Sequence, residues 1–227
     1  MTDIQTTAAE VRAPDRFDPV GAGLGVLVHP VRTMATIAAA RPWRVALGLA
    51  ILVALLQALA NLTAPPPALP ADTASLPPGA ASTFESFVTL SRSPLWVAVQ
   101  VLVLSPVFLA IVTAVFSGVG HLLGGRGPFS ALFSALAFAS VPSLLAAPIL
   151  AWLRLGGLGG VAGPVGFAFG LWSLVLQVLG IRAALGLSTG RAVATVLLPL
   201  LILVVLAIVL GIVVALLAFG ALAGRGG

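Results

Sequence analysis

The side chains able to move protons near neutral pH are few. His29 and His121 are the two histidines, and the chain contains no cysteine. A serine nucleophile needs a base within hydrogen-bond reach. Ser117, one helical turn before His121, is the sequence-near candidate. Neither has a carboxylate partner on an apolar run. Asp3, Glu10, Asp15 and Asp18 precede the first such run, and Asp72 and Glu85 follow it. His121 therefore reads as a histidine at a helix end, where the end charge favours a cation. Two histidines and distant carboxylates are too few to hold a metal ion. No cofactor and no enzymatic activity are expected.

Ion-coupled transport asks for an ionisable group at membrane depth, because something there must bind or relay the ion. The long apolar runs offer only Gln57, Gln100 and Gln177 with scattered serines and threonines. What they carry instead is a packing signal. Gly159, Gly163, Gly166, Gly170, Ser173, Gln177 and Gly180 are spaced alternately by four and three residues, one stripe of a helix. Helices in lipid associate by close backbone approach across small residues, so this stripe is expected to pack inside a bundle or to form a homodimer seam. Ala110, Thr113, Ser117, Gly120 and Gly124 make a second stripe.

The elements that position these residues follow from composition. The 227 residues are 60% hydrophobic and 7% charged, against roughly 25% charged in an average globular chain. An all-α polytopic bundle is expected, with five transmembrane helices at about 45–62, 95–121, 129–153, 162–181 and 193–220, each long enough for a bilayer crossing of about 20 residues and the second longer than one crossing needs, so tilted or protruding. Residues 1–28 read as a flexible polar segment without the pattern of a cleavable signal peptide. Over 29–44, Val31, Met34 and Ile37 recur every three residues beside Arg32, Arg41, Arg44 and Trp43, which predicts an amphipathic helix lying at the membrane surface. Residues 63–91, rich in proline, read as an extended external loop. Pro142 and Pro148 are expected to kink or unwind the third span, which could instead be re-entrant, and Pro199 to kink the fifth.

The formal charge of +5 comes from arginine, since there is no lysine. The arginines stand singly between apolar runs, which argues for topology markers and against nucleic acid. With the N-terminus inside, Arg32, Arg41, Arg44, Arg126, Arg182 and Arg191 face the cytoplasm, and Arg92, Arg154 and Arg225 face out. The expectation is a multi-pass protein of the cell (cytoplasmic) membrane with an external C-terminus. Its cytoplasmic arginines could meet anionic lipid headgroups.

Several of these landmarks together resemble a known family. They are His29-Pro30 through Ala40, the link Gly124-Gly125-Arg126-Gly127-Pro128-Phe129, Ser140-Val141-Pro142, Leu171-Trp172-Ser173, Gly180-Ile181 and Leu187-Ser188-Thr189-Gly190-Arg191-Ala192. The pattern is similar to the Yip family, the Ypt/Rab-interacting five-span membrane proteins, in its bacterial branch, over roughly residues 20–220. The resemblance implies five spans and a cytoplasmic N-terminus. In the eukaryotic branch it implies vesicle traffic and small-GTPase contacts through a long cytoplasmic segment. Here that segment is short and lacks the branch's acidic-aromatic motif, so Trp172 and Arg191 carry over as structural landmarks. The functional expectation is a non-enzymatic membrane scaffold or adaptor, with a homo-oligomer or a membrane protein as partner. The alternative is a small-solute transporter or pore component.

Overall fold

The structure, a computed structural model, describes residues 17–62 and 79–223, with side chains described as far as residue 212. Among the described residues every regular element is helical. The helices are α1 (Pro19–Val28), α2 (Pro30–Ala40), α3 (Trp43–Leu62), α4 (Ala80–Ser91), α5 (Pro94–Val99), α6 (Ser105–Leu122), α7 (Phe129–Ala139), α8 (Val141–Leu155), α9 (Gly159–Leu185) and α10 (Thr189–Ala223). Five spans are long and apolar enough to cross a membrane: Trp43–Leu62, Pro94–Leu122, Phe129–Leu155, Gly159–Leu185 and Thr189–Ile212.

Local chemistry explains the interruptions. A π-helical turn, Gln100–Leu104, joins α5 to α6 in the second span. Pro106 has no N–H to continue the ladder, and the wider turn just ahead of it shifts the hydrogen-bond register there. The Ser105 N–H reaches back to the Gln100 carbonyl, and the Ser105 hydroxyl donates to the Val101 carbonyl at 2.8 Å. The third span breaks at Ser140, two residues before Pro142, which occupies the first turn of α8 where its missing N–H costs little. The Ser140 hydroxyl closes the break by donating to the Ala137 carbonyl at 2.6 Å. Helix α8 continues through Pro148 and α10 through Pro199.

The third span runs the length of the bundle without doubling back at its prolines. Ala46 near the start of α3 packs with Phe133 and Ala137 of α7, in the first half of the third span. At the other end, Arg154 of α8 donates to the Ala60 carbonyl of α3 at 3.2 Å. The third span therefore runs alongside α3 from one end of the bundle to the other. Helix α9 returns beside it, with Gly180 against Ala135 and Gly166 near Leu150.

The centre of the bundle is α7, where every residue from Ala131 through Ala139 is buried. Phe138, Leu132 and Leu136 fill the space between α6, α9 and the N-terminal helices. By contrast, among its described side chains α10 is packed only near its start, through Ala192, Thr195 and Val196. Residues 200–212 are exposed. At 35 residues α10 is longer than one hydrocarbon core requires, since about 20 suffice.

Two expectations about the N-terminal third are corrected. Residues 19–28, expected within a flexible segment, form α1. The Asp18 carboxylate caps it by accepting from the Val20 N–H at 3.0 Å, and Pro19 sits at the first turn. Burial of Val26 and an edge-on contact between Phe17 and Phe138, centroids 5.9 Å apart, outweigh the low helix propensity of its glycines. Helix α2, expected to lay its apolar stripe on lipid, turns Met34 and Ile37 into the protein instead. Both are fully buried among Phe138, Ala139, Val141 and Leu176. Only Val31 of that stripe stays exposed. Residues 80–91 of the expected extended loop form helix α4, and residues 63–78 lie outside the described part of the chain.

Candidate functional site

The glycine-rich link between α6 and α7 locks one end of the bundle. The Arg126 N–H donates to the Leu185 carbonyl at 3.1 Å, joining the link to the end of α9. Gly127 lies against the Ala184 carbonyl so closely that a Cβ there would overlap it. A Cβ on Gly125 would meet the Gly120 carbonyl oxygen at 2.9 Å and Leu185 Cβ at 3.0 Å. Gly120 faces Leu185 and Thr195. The second-helix stripe is thus largely an inner face, with Thr113, Ser117 and Gly120 buried. His121 is exposed, and its Nε2 lies 3.2 Å from the Gly127 carbonyl, so in the Nε2–H tautomer it donates to the link.

The stripe on α9 divides. Gly180 is buried, and a Cβ there would sit 3.1 Å from Ala135 Cβ. Gln177 and Ser173 are half-buried, and the Ser173 hydroxyl has no hydrogen-bond partner among the described residues. Gly166 comes near only Leu150, at 3.6 Å, while Gly159, Gly163 and Gly170 have open space where a Cβ would be. Close helix contact, expected along the whole stripe, is confined to its C-terminal end. Regular spacing puts these residues on one face, but the face reaches beyond the neighbours that α7 and α8 provide.

The arginines sort into two groups. Ala38, three residues before Arg41, packs in one cluster with Ala131, Ala184 and Leu185, and Arg126 hydrogen-bonds into that region. Arg191 at the start of α10 lies beside Gly124. Arg41, Arg44, Arg126, Arg182 and Arg191 thus stand at one end of the bundle, all exposed. Trp43 lies under the Arg44 guanidinium, 5.3 Å from its ring centroid, as an interfacial aromatic anchor would. At the other end, Arg92 reaches the Asn61 carbonyl at 3.5 Å and Arg154 the Ala60 carbonyl.

This architecture is five apolar crossings, a helical hairpin (α1 and α2) docked against α7 and α9, and a glycine-locked link before a span broken ahead of Pro142. The Yip1 domain model matches residues 24–211. The chain belongs to the Yip1-domain family. The match begins inside α1 and ends within α10, so it takes in the docked hairpin as well as the five spans. No curated protein and no solved structure matches the chain. A Yip1-domain protein with these spans is a multi-pass membrane protein whose outer face contacts lipid. Leu102, Phe108, Ile111, Phe167 and Leu203, apolar and each more than half exposed, belong to that outer face.

Proposed function

We propose that this Yip1-domain protein is a non-enzymatic scaffold or adaptor that organises membrane components by packing and by lipid contact. The observation that carries this reading is the continuous buried run of helix α7 from Ala131 through Ala139. Side chains from Ala131 through Ala139 fill the middle of the bundle. The carboxylates also lie outside the five spans, so no acidic relay stands at depth. The five exposed arginines at one end suit anionic headgroups, each worth about 1 kcal/mol near such a surface. Placing that end in the cytoplasm follows the bias of positive charge toward the inner side.

Flux through proteoliposomes tests the reading. Vesicles carrying the purified chain should leak a panel of small ions, sugars and amino acids no faster than protein-free vesicles. Purification from native membranes in a mild detergent should meanwhile retain a stoichiometric membrane partner. Saturable flux of any solute in the panel would overturn the scaffold in favour of transport. The orientation is tested separately in this cysteine-free chain. With an impermeant thiol reagent on intact cells, Ser82→Cys at the start of α4 should label and Ser188→Cys between α9 and α10 should not. The reverse pattern would invert the topology.

A further inference from the structure

The open glycines of α9 have a physical consequence at the end of the bundle away from the five exposed arginines. Between α3, α8 and α9 lies a cavity of about 330 Å³, within the range of small-molecule sites. Gly166 and Gly170 line one wall of it, and their missing side chains are part of what keeps it open. Its polar lining comes from Gln57 and Asn61 of α3 and Ser143 and Arg154 of α8. Most of the chain's membrane face is apolar, so this convergence of two carboxamides, a hydroxyl and a guanidinium stands apart.

Arg154 is half-buried and held in place by one hydrogen bond, 3.2 Å to the Ala60 carbonyl at the end of α3. That bond alone would make it a cap for a helix C-terminus. A guanidinium has five N–H donors in a planar fork, however, so capping leaves donors for a second acceptor. Asp18 and Glu85, the carboxylates among the described residues, do not line the cavity. Arg92 brings a second positive charge toward the rim through its bond to the Asn61 carbonyl.

We propose that this cavity binds a phosphate ester anion, with Arg154 as the charged anchor and Gln57 and Asn61 as neutral donors beside it. A phosphodiester matches the guanidinium fork in charge and geometry, and the amides can satisfy its remaining oxygens. Two sources present this group: a lipid headgroup entering sideways from the bilayer, or a soluble phosphate ester. The cavity reaches the last turn of α8 and of α3, the ends of two spans. The site stands whichever end of the bundle is external and does not depend on the scaffold reading.

The test is a titration of the delipidated full chain in nonionic detergent, read by native mass spectrometry. The probes are phosphatidylglycerol, phosphatidylcholine, glycerol 3-phosphate and inorganic phosphate. Arg154→Gln removes the anchor, and Gly170→Leu fills the cavity while leaving the anchor in place. Both should weaken phosphatidylglycerol binding about tenfold or more, the scale of one lost charge-assisted contact. Arg182→Gln, at the opposite end, should leave it unchanged. Tight binding of the soluble phosphates with no lipid preference, lost in the same two variants, would support the anion site and assign its source to solution. Wild-type binding by Gly170→Leu, or equal loss in Arg182→Gln, would overturn the site. So would failure of every probe to bind the wild-type chain. Gly170 has open space around it, so Gly170→Leu remains decisive even if Arg154→Gln loosens α3.

Discussion

Replacing Gly127 by alanine is the sharpest perturbation the fold offers. The residue is not among those with positive φ, so alanine is allowed by its backbone and the cost is steric alone. The new Cβ would overlap the Ala184 carbonyl, and relief requires the link to move away from the end of α9. That movement stretches the Arg126 N–H bond to Leu185, now 3.1 Å, whose net worth is about 1 kcal/mol. Repacking around an inserted carbon adds about 1–3 kcal/mol. Against this stands about 0.4–1 kcal/mol gained from a less flexible unfolded chain. The net is a loss of roughly 1–3 kcal/mol. Gly170→Ala is the matched control, since its helical site is open and alanine there is favoured by up to about 1 kcal/mol. The two variants should differ by roughly 2–4 kcal/mol. At about 2–4 °C per kcal/mol for a chain of this size, their melting temperatures in detergent, followed by tryptophan fluorescence, should stand roughly 5–15 °C apart. Coincident midpoints would show that the link is not wedged against α9, and the account of that end of the bundle would fail.

Two further stability outcomes follow from the same packing. Gly180→Leu drives a side chain into Ala135, 3.1 Å from the ideal Cβ, and should cost about 1–3 kcal/mol or more, whereas Gly163→Leu on the same stripe should be near neutral; equal effects in thermal melts would restore the stripe as one continuous seam. Ile37→Ala empties a fully buried site and should cost about 2–5 kcal/mol, while Val31→Ala, exposed on the same helix, should change stability by less than about 0.5 kcal/mol; a small cost at Ile37 would return α2 to the lipid surface.

What the residues determined by themselves was the membrane class, the five crossings and the existence of α2. These rest on quantities additive along the chain: runs of apolar side chains long enough to cross a bilayer, interrupted by Gly124 to Pro128 and by Ser188 to Arg191. The family resemblance was legible for the same reason, because its landmarks mark span ends and breaks. The grouping of the arginines was legible too, since each crossing reverses direction and fixes which end the next link occupies.

Tertiary structure decided where each face points. Period-three spacing puts Met34 and Ile37 on one side of α2, but lipid and a groove between α7 and α9 are equally apolar, so hydrophobicity could not choose between them. Helix α1 was missed because glycine and small residues read as flexible, while its cap and the burial of Val26 depend on neighbours far along the chain. The stripe from Gly159 to Gly180 is regular in sequence, yet only Gly180 and, more loosely, Gly166 find a partner backbone or side chain close by. The same vacancy at Gly170 borders the cavity that Arg154 also lines. Its polar lining unites Gln57, Asn61, Ser143 and Arg154, residues of α3 and α8 with four helices between them in the chain. No local pattern connects them, because their meeting depends on α3 and the third span running side by side for their full length.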